Sequence, residues 1–172
     1  MNQNLMKKYI VDYGKDIYSF CVYLTESRDK ADDLYQQTFL TAIEKGKLDD
    51  TQNPKAYLIA ITVNLWKSQK KKYAVRNKKA NIIYLETDNP EQLADGSESV
   101  EERLIREEEE RLIRKLVNNL PDKLRIVILM FYMEEMSLSE ISEALHIPVG
   151  TVKSRIHQAK SRLKERMSKY EG

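Results

Sequence analysis

One short stretch near the end of the sequence carries side chains suited to binding a nucleic acid. Between Thr151 and Arg162 there are cationic, hydroxyl, imidazole and amide groups and no carboxylate. Such groups donate and accept hydrogen bonds at the edges of bases, and the cations among them also hold phosphates. The chemistry that this stretch predicts is therefore recognition of a polyanion, without bond making or breaking.

Helical geometry sorts these side chains into two faces. Apolar side chains recur at helical spacing and are expected to pack on a preceding helix: Val152, Ile156, Ala159 and Leu163. At about 100° per residue, the opposite face carries Ser154, His157, Gln158 and Ser161, with Lys153 beside them. Arg155 flanks the apolar stripe, from where its side chain can reach a phosphate. A two-helix corner with a solvated face would share this periodicity, but the cations on and beside the outward face favour DNA binding.

The preceding residues supply the rest of a helix-turn-helix. Ser137 can cap a first helix, and Glu140 three residues later completes a capping box. His146 follows that helix at a position that often needs a left-handed backbone, which histidine tolerates. The second helix is expected to begin near Thr151, so that its first turn fits a major groove.

Charge is segregated along the chain, although the net charge is only +2. Lys67–Lys79 contains seven basic residues and no acidic one, and Lys153–Lys169 contains seven basic residues and one glutamate. Between them, Glu86–Glu110 contains eleven acidic residues against two arginines. This order indicates two contacts with a polyanion and a middle segment that the polyanion repels.

The composition disfavours several classes of protein. Cys21 is the only cysteine, which excludes an intrachain disulfide and a cysteine-rich zinc site, and its apolar neighbours predict a buried thiol. The apolar run Ile17–Leu24 is too short for a membrane span or a signal peptide, so we expect a cytoplasmic protein without membrane insertion. Two histidines and no glycine-rich phosphate loop make an enzyme the least favoured class. We expect no catalytic residue, cofactor or metal.

Helical signals dominate the sequence, and strand signals are nearly absent. Gly46 ends one predicted helix, Asn53 and Pro54 open the next, and Pro121 interrupts a later one. The polar, acidic stretch in the middle cannot bury enough apolar surface to fold alone. The sequence therefore predicts an all-α protein with two small helical domains, residues 1–77 and 101–172, joined by a flexible acidic linker, residues 78–100.

Motifs in both predicted domains resemble the extracytoplasmic-function sigma factors. The second domain resembles the fourth conserved region of that family in Leu120-Pro121, Arg125, Ser139-Glu140-Ile141 and Gly150–Ile156. In the first domain, Asp32–Leu40 resembles the family's core-polymerase-binding helix, and Pro54–Asn64 resembles its promoter-melting and −10-recognition segment. The helix-turn-helix motif alone is shared with other regulators, whereas both motifs in this order and spacing are specific to the family.

The resemblance implies an RNA polymerase sigma factor, responsive to stress or envelope signals, that binds core polymerase and promoter DNA and is held by an anti-sigma factor. The residues implied to bind core polymerase are Asp32, Asp33, Gln36 and Gln37. Those implied to bind the −10 element are Asn64, Lys67, Lys70 and Lys71. Those implied to bind the −35 element are Thr151, Lys153, Ser154, Arg155, His157 and Gln158.

Other interpretations remain open. An autonomous helix-turn-helix regulator would bind its operator unaided, usually as a symmetric dimer. A helical adaptor would bind polymerase without touching DNA, which the outward polar face of the second helix argues against. The first domain also departs from the family, because Tyr57 stands where many members have tryptophan. Trp66 lies in the following segment, and we expect it to pack in the core rather than to stack on an unpaired base.

Overall fold

The computed structural model describes residues 3–48, 53–77 and 99–171, and these residues form helices and no strand. The predicted all-α class is therefore confirmed for the described part of the chain. Its seven α-helices, in chain order, are α1 (Gln3–Thr25), α2 (Arg28–Lys45), α3 (Pro54–Asn77), α4 (Val100–Asn118), α5 (Asp122–Ile128), α6 (Leu138–Leu145) and α7 (Val149–Glu171). A π-helical turn, Leu129–Met133, extends α5.

Local hydrogen bonds, made by residues of types that are typical of caps, determine where the helices end. The Ser27 side chain caps α2 by accepting from the Lys30 N–H, and Gly46 closes the helix with a left-handed φ of 61°. Asn53 Oδ1 accepts from the Ala56 N–H at 3.1 Å, and Pro54 takes the first position of α3. The predicted breaks at Gly46 and Asn53 are therefore confirmed.

Helices α1, α2 and α3 pack around one apolar core. Among its fully buried side chains are Phe20, Leu34 and Leu58. The Cys21 thiol is buried in the same core, as predicted, and burial raises its pKa to about 12. The hydroxyls of Thr38 and Thr62 lie 3.0 Å apart, and either one could donate to the other. Each hydroxyl also lies within hydrogen-bonding distance of a carbonyl in the preceding turn of its own helix. This pair ties α2 to α3 and fixes the face that α3 presents outward.

A second core lies among α5, the π-helical turn, α6 and α7, and its buried side chains join those of the first core in one contiguous apolar cluster. Its fully buried members include Val127, Met130, Ile141 and Val152. Helix α4 precedes this core and is attached mainly through its last turn, where Leu116 and Val117 are buried. The predicted linker, residues 78–100, falls mostly on residues outside the described ones, while Ser99 caps α4 through the Glu102 N–H at 3.2 Å.

The two groups of helices also pack against each other, chiefly through α3 and α6. Trp66 of α3 is buried, as predicted, and its ring lies under two cations, with Lys70 Nζ 4.7 Å and Arg125 Cζ 5.7 Å from the ring centre. Stacking of its ring on an unpaired base is therefore not available in this arrangement. The tryptophan instead forms part of the contact between the first and second groups of helices.

Candidate nucleic-acid interface

The helix-turn-helix consists of α6, a short turn and α7. Ser137 Oγ accepts from the Glu140 N–H at 3.1 Å, and Glu140 Oε1 accepts from the Ser137 N–H at 2.9 Å, so the predicted capping box is present. His146 ends α6 with φ 56° and ψ 46°, which confirms the left-handed position. The second helix begins at Val149 rather than near Thr151, because the Pro148 carbonyl already accepts the first helical hydrogen bonds from Thr151 and Val152.

The polar face predicted for α7 is exposed. Val152, Ile156 and Ala159 are buried against the second core and fix the rotation of the helix. The outward side chains are then Lys153, Ser154, His157, Gln158 and Ser161. Gln158 Nε2 donates to Ser154 Oγ at 3.3 Å, one helical turn away. This face carries a cation, hydroxyls, an imidazole and an amide, and residues 151–162 include no carboxylate, which suits contact with base edges and phosphates.

Thr151 and Arg155 lie at the edge of this face and are half-buried. Arg155 points toward the first group of helices, where it lines a cleft together with residues of α3. Its position beside the apolar stripe agrees with the helical geometry. Its neighbours could not be inferred from that geometry, because they come from the other end of the chain.

The second predicted set, on α3, faces the same cleft. Asn64, Lys70 and Lys71 are exposed, and Lys67 is half-buried. The cleft has a volume of about 390 Å³ and lies between α3, α5 and α7. Its lining combines Asn64, Trp66, Lys67, Ser68, Lys70 and Lys71 of α3 with Asp122, Lys123, Ile126, Leu145 and Arg155 of the second group.

Several positively charged side chains lie close together in this cleft. Partial burial lowers the pKa of Lys67, and the positive charges of Arg155 and Lys71 lower it further. The carboxylate of Asp122 pairs with Lys70 and Arg125. No ion pair within the described ranges reaches Lys67 or Arg155. The structure therefore places one member of the −35 set, Arg155, beside the −10 set and among positive charges, while the other members of the −35 set lie outside the cleft lining.

The third predicted set lies on α2, away from the cleft. Its four members are exposed along one face of the helix: Asp32, Asp33, Gln36 and Gln37. Tyr18 Oη donates to Asp32 at 2.8 Å, and Gln69 Nε2 donates to Gln37 Oε1 at 2.7 Å. The opposite face of α2 holds Leu34, Thr38 and other buried side chains. Polar groups held in place on an exposed helix face form a surface that another protein can contact.

Arg125 is a residue whose role the sequence did not reveal. It is 4% exposed, lies on α5 and crosses to the first group of helices. One guanidinium nitrogen donates to the Leu24 carbonyl at 3.2 Å and the other pairs with the Glu26 carboxylate. Arginine is rarely buried without such partners. Arg125 therefore anchors the two groups of helices to each other.

Glu134 is a residue that the sequence did not single out, and it too joins the two groups of helices. It is 4% exposed at the end of the π-helical turn, and its carboxylate lies 3.2 Å from Lys55 Nζ of α3. Lys55 also lies 3.4 Å from the carboxylate of Asp16 on α1. Burial raises the pKa of Glu134 to about 7, against the lowering effect of Lys55. The burial of Glu134 could not be predicted from the sequence, because a single charged residue in a Met-rich segment shows no periodicity that would indicate it.

No helix among the described residues is both long and apolar enough to cross a membrane. Likewise, residues 3–48, 53–77 and 99–171 contain no group of three or more histidine, cysteine, aspartate or glutamate side chains placed to hold a metal ion.

Family models match both parts of the chain. The family described as "Sigma-70 region 2" matches residues 9–76, and the family described as "Sigma-70, region 4" matches residues 110–163. The first span covers most of α1 to α3, and the second runs from within α4 into α7 and includes the turn of the helix-turn-helix.

Whole-chain relatives agree with this division. The ECF RNA polymerase sigma factor SigW of Bacillus subtilis is 33% identical over 168 residues, which cover 92% of this chain and 87% of that protein. Among solved structures, RpoE of Bartonella quintana in complex with the anti-sigma factor NepR has a TM-score of 0.73 at 24% identity, over 94% of this chain and 96% of that one. CnrH in complex with the cytosolic domain of CnrY has a TM-score of 0.63 at 20% identity, over 97% of this chain and 90% of that one. The exposed helix-turn-helix, the two matched regions and the identity to SigW together place this chain among the extracytoplasmic-function sigma factors, the RNA polymerase subunits that direct transcription initiation.

Proposed function

We propose that residues 1–77 bind core polymerase and the −10 element, that residues 101–172 bind the −35 element, and that residues 78–100 link them. The chain then acts by binding alone, as a transcription initiation factor and not as an enzyme, in the cytoplasm with its polymerase. The observation that carries this proposal is the presence, on one chain, of an exposed helix-turn-helix face and a separate polar face on α2.

The −35 role rests on α7. Lys153, Ser154, His157 and Gln158 project from the first turns of a helix whose other side is buried, which is how a recognition helix enters a major groove. Arg155 and Thr151, at the edge of that face, are placed for phosphate contacts that set the register of the helix on DNA.

The −10 role rests on α3. The Asn64 amide can both donate to and accept from the edge of an unpaired base. Lys67, Lys70 and Lys71 follow it within two helical turns and supply charge for the backbone of the opened strand. An amide next to a lysine row is suited to capturing a base and holding its phosphates.

Docking to core polymerase rests on Asp32, Asp33, Gln36 and Gln37. Their exposure and their two hydrogen bonds to Tyr18 and Gln69 hold this face in one arrangement, and such preorganisation lowers the entropic cost of binding. The two solved relatives were determined with the anti-sigma factor NepR and with the cytosolic domain of CnrY, respectively. We include an anti-sigma factor among the partners of this chain, released under a stress or envelope signal.

The test combines a pull-down with transcription. The purified chain is mixed with Bacillus subtilis core polymerase, and the complex transcribes a library with randomised −35 and −10 elements. We expect selected promoters, and we expect Asp33→Lys to weaken the pull-down while the control Glu44→Lys, on the same helix, leaves it unchanged. A chain that binds a specific duplex at nanomolar affinity and ignores core polymerase would instead be an autonomous regulator.

A further inference from the structure

The cleft between α3, α5 and α7 gathers more positive charge than its own carboxylate can balance. Its lining contains five cationic side chains and one carboxylate. The cationic side chains are those of Lys67, Lys70, Lys71, Lys123 and Arg155. The carboxylate of Asp122 is already paired with Lys70 and with Arg125. The lining therefore keeps an excess of positive charge.

Two of these cations are partly shielded from water. Lys67 and Arg155 are both half-buried, and no ion pair in the described part of the chain reaches either of them. Burial lowers the pKa of Lys67, and the positive charges of Arg155 and Lys71 lower it further. Like charges held close together disfavour their own charged forms, and an anion beside them reverses this effect. The pair is therefore suited to an anionic ligand.

Buried apolar side chains in the same lining strengthen the attraction of the cations for an anion. Trp66, Ile126 and Leu145 line the cleft and are each no more than 6% exposed. Charges of one sign next to apolar walls focus the electric field into a cleft and concentrate counter-ions there. The exposed Asn64 amide and Ser68 hydroxyl, which also line the cleft, supply neutral hydrogen-bond donors.

The size and the charge of the cleft together favour a compact multivalent anion. Its volume of about 390 Å³ is near the lower end of the range for small-molecule sites, which is about 300–1,000 Å³. A nucleic acid strand spreads its charge along the chain, whereas a di- or triphosphate group concentrates charge on adjacent phosphorus atoms. Lysine and arginine bind phosphate oxygens through charge-assisted hydrogen bonds. Concentrated negative charge is what a small cleft with five cations can neutralise best.

We propose that this cleft binds a small-molecule polyphosphate, such as the triphosphate group of a nucleotide, with Lys67 and Arg155 as its main ligand-binding residues. The proposal goes beyond the function proposed above, because neither DNA nor polymerase takes part in the binding. Both residues are also among those proposed to bind the promoter, so a bound polyphosphate would compete with DNA for them. This consequence rests on the proposed function, whereas the binding itself does not, so the two can fail separately.

The direct test is isothermal titration calorimetry of the full chain with sodium tripolyphosphate, at about 0.15 M salt to screen diffuse attraction and without divalent cations. We expect saturable binding at one site. Lys67→Met and Arg155→Met each remove one charge and keep an unbranched apolar stem. Each is expected to weaken binding about tenfold, because a charge-assisted contact to the phosphate oxygens is lost.

Matched controls remove the same charges from outside the cleft. Lys72→Met on α3 and Arg162→Met on α7 replace exposed residues that do not line it, and they are expected to change the affinity by less than about twofold. Lys67→Arg keeps the positive charge and is expected to retain binding, which separates loss of charge from loss of fold. Circular dichroism confirms that each variant is folded. Absence of saturable binding, or an equal loss in all four methionine variants, overturns the proposal.

Further probes identify the source of the phosphate. A nucleoside triphosphate that binds more tightly than tripolyphosphate assigns the site to a nucleotide, and equal affinities assign it to the phosphate chain alone; either result supports the proposal. A short single-stranded oligonucleotide is the competing probe. If it binds more tightly than both, with the same dependence on Lys67 and Arg155, the cleft belongs to nucleic acid and the proposal is overturned. Promoter selection by the chain with core polymerase enters none of these measurements.

Discussion

The interior of each group of helices and the contact between the two groups differ in the charge that they bury. The interiors are filled by apolar residues such as Phe20 and Ile141, each fully buried. The contact also has apolar members such as Trp66, but it holds the two charged residues that are buried in the described part of the chain, Arg125 and Glu134. Apolar burial is stable over a wide range of conditions, whereas ionic contacts respond to pH, salt and competing charges. We therefore expect the contact between the groups to respond to conditions that leave their interiors unchanged.

The largest expected effect is on a core. Phe20→Ala removes a fully buried ring and is expected to lower the free energy of unfolding by about 3–5 kcal/mol, since it adds a cavity to the lost burial. Urea denaturation followed by circular dichroism measures it. Leu40→Ala, at an exposed position of α2, is the control and is expected to stay within about 0.5 kcal/mol of the parent. Equal effects at the two positions would contradict the assignment of the core.

Substitutions on the exposed face of α7 are expected to weaken DNA binding and to leave the free energy of unfolding unchanged. Lys153→Ala is expected to weaken promoter binding by the holoenzyme by about 1–3 kcal/mol if the contact is to a base, and evenly across sequences if it is to a phosphate. Its unfolding free energy is expected to stay unchanged, because the side chain is exposed. Filter binding at two salt concentrations separates the cases. Lys47→Ala, a substitution at another exposed lysine, serves as the control. Unaltered promoter occupancy in a Lys153→Ala, Arg155→Ala double variant would show that α7 does not take part in DNA recognition.

Asn64 is expected to act at a different step from the other residues proposed to bind DNA. Asn64→Ala is expected to impair opening of the promoter more than formation of the initial closed complex, because the amide contacts a base only after the duplex has opened. Permanganate footprinting of the bubble measures opening, and mobility shift measures the first step. Ser68→Ala, one turn further along α3 and also exposed, is the matched control. A normal bubble without the Asn64 amide would show that another residue captures the base.

Local features of this fold were predictable from the sequence because short-range hydrogen bonds and periodicity determine them. The Ser137–Glu140 capping box and the left-handed His146 each depend on a few neighbouring residues, and the outward face of α7 follows from its apolar stripe. Arg125 is different. It sits between Leu124 and Ile126, all three buried, because α5 contacts helices on more than one side, and no single-face period describes that.

The cleft between α3, α5 and α7 could not be predicted from the sequence for a related reason. Arg155 and Lys67 are far apart in the sequence, and their proximity depends on how one group of helices packs on the other. The exposure of Lys153, Ser154, His157 and Gln158 was predictable from the apolar stripe of α7, but nothing in the sequence indicates that Arg155 lies beside α3. The polymerase-binding role proposed for α2 came from family resemblance, since its polar face alone is equally typical of a solvated surface.

The smallest expected effect is a pH dependence of the interface, and it separates the interface from the cores. We call the packed arrangement of the two groups of helices the closed form, and an arrangement in which they have separated the open form. In the closed form the carboxylate of Glu134 faces Lys55 of α3 and, at longer range, Asp16 and the Cys21 thiol of α1. The pKa of Glu134 is raised from 4.5 to about 7, so the closed form holds a proton that an open form with a solvated Glu134 releases. The stabilisation from this proton is fully present below the ordinary pKa and is lost as pH rises through about 7.

Closure of the free chain is therefore expected to weaken as pH rises from about 4.5 to about 7, by at most about 1.4 kcal/mol per pH unit. Energy transfer between dyes on exposed positions of α2 and α7 would follow it. Glu134→Gln keeps the shape of the side chain and is expected to abolish the pH dependence, while Glu135→Gln, its exposed neighbour, is expected to retain it. The buried Cys21 thiol of the first core, with a pKa of about 12, does not titrate over this range, so unfolding of that core is expected to depend less on pH than closure does. A closure that strengthens as pH rises would show that the Lys55–Glu134 ion pair outweighs the burial of the carboxylate.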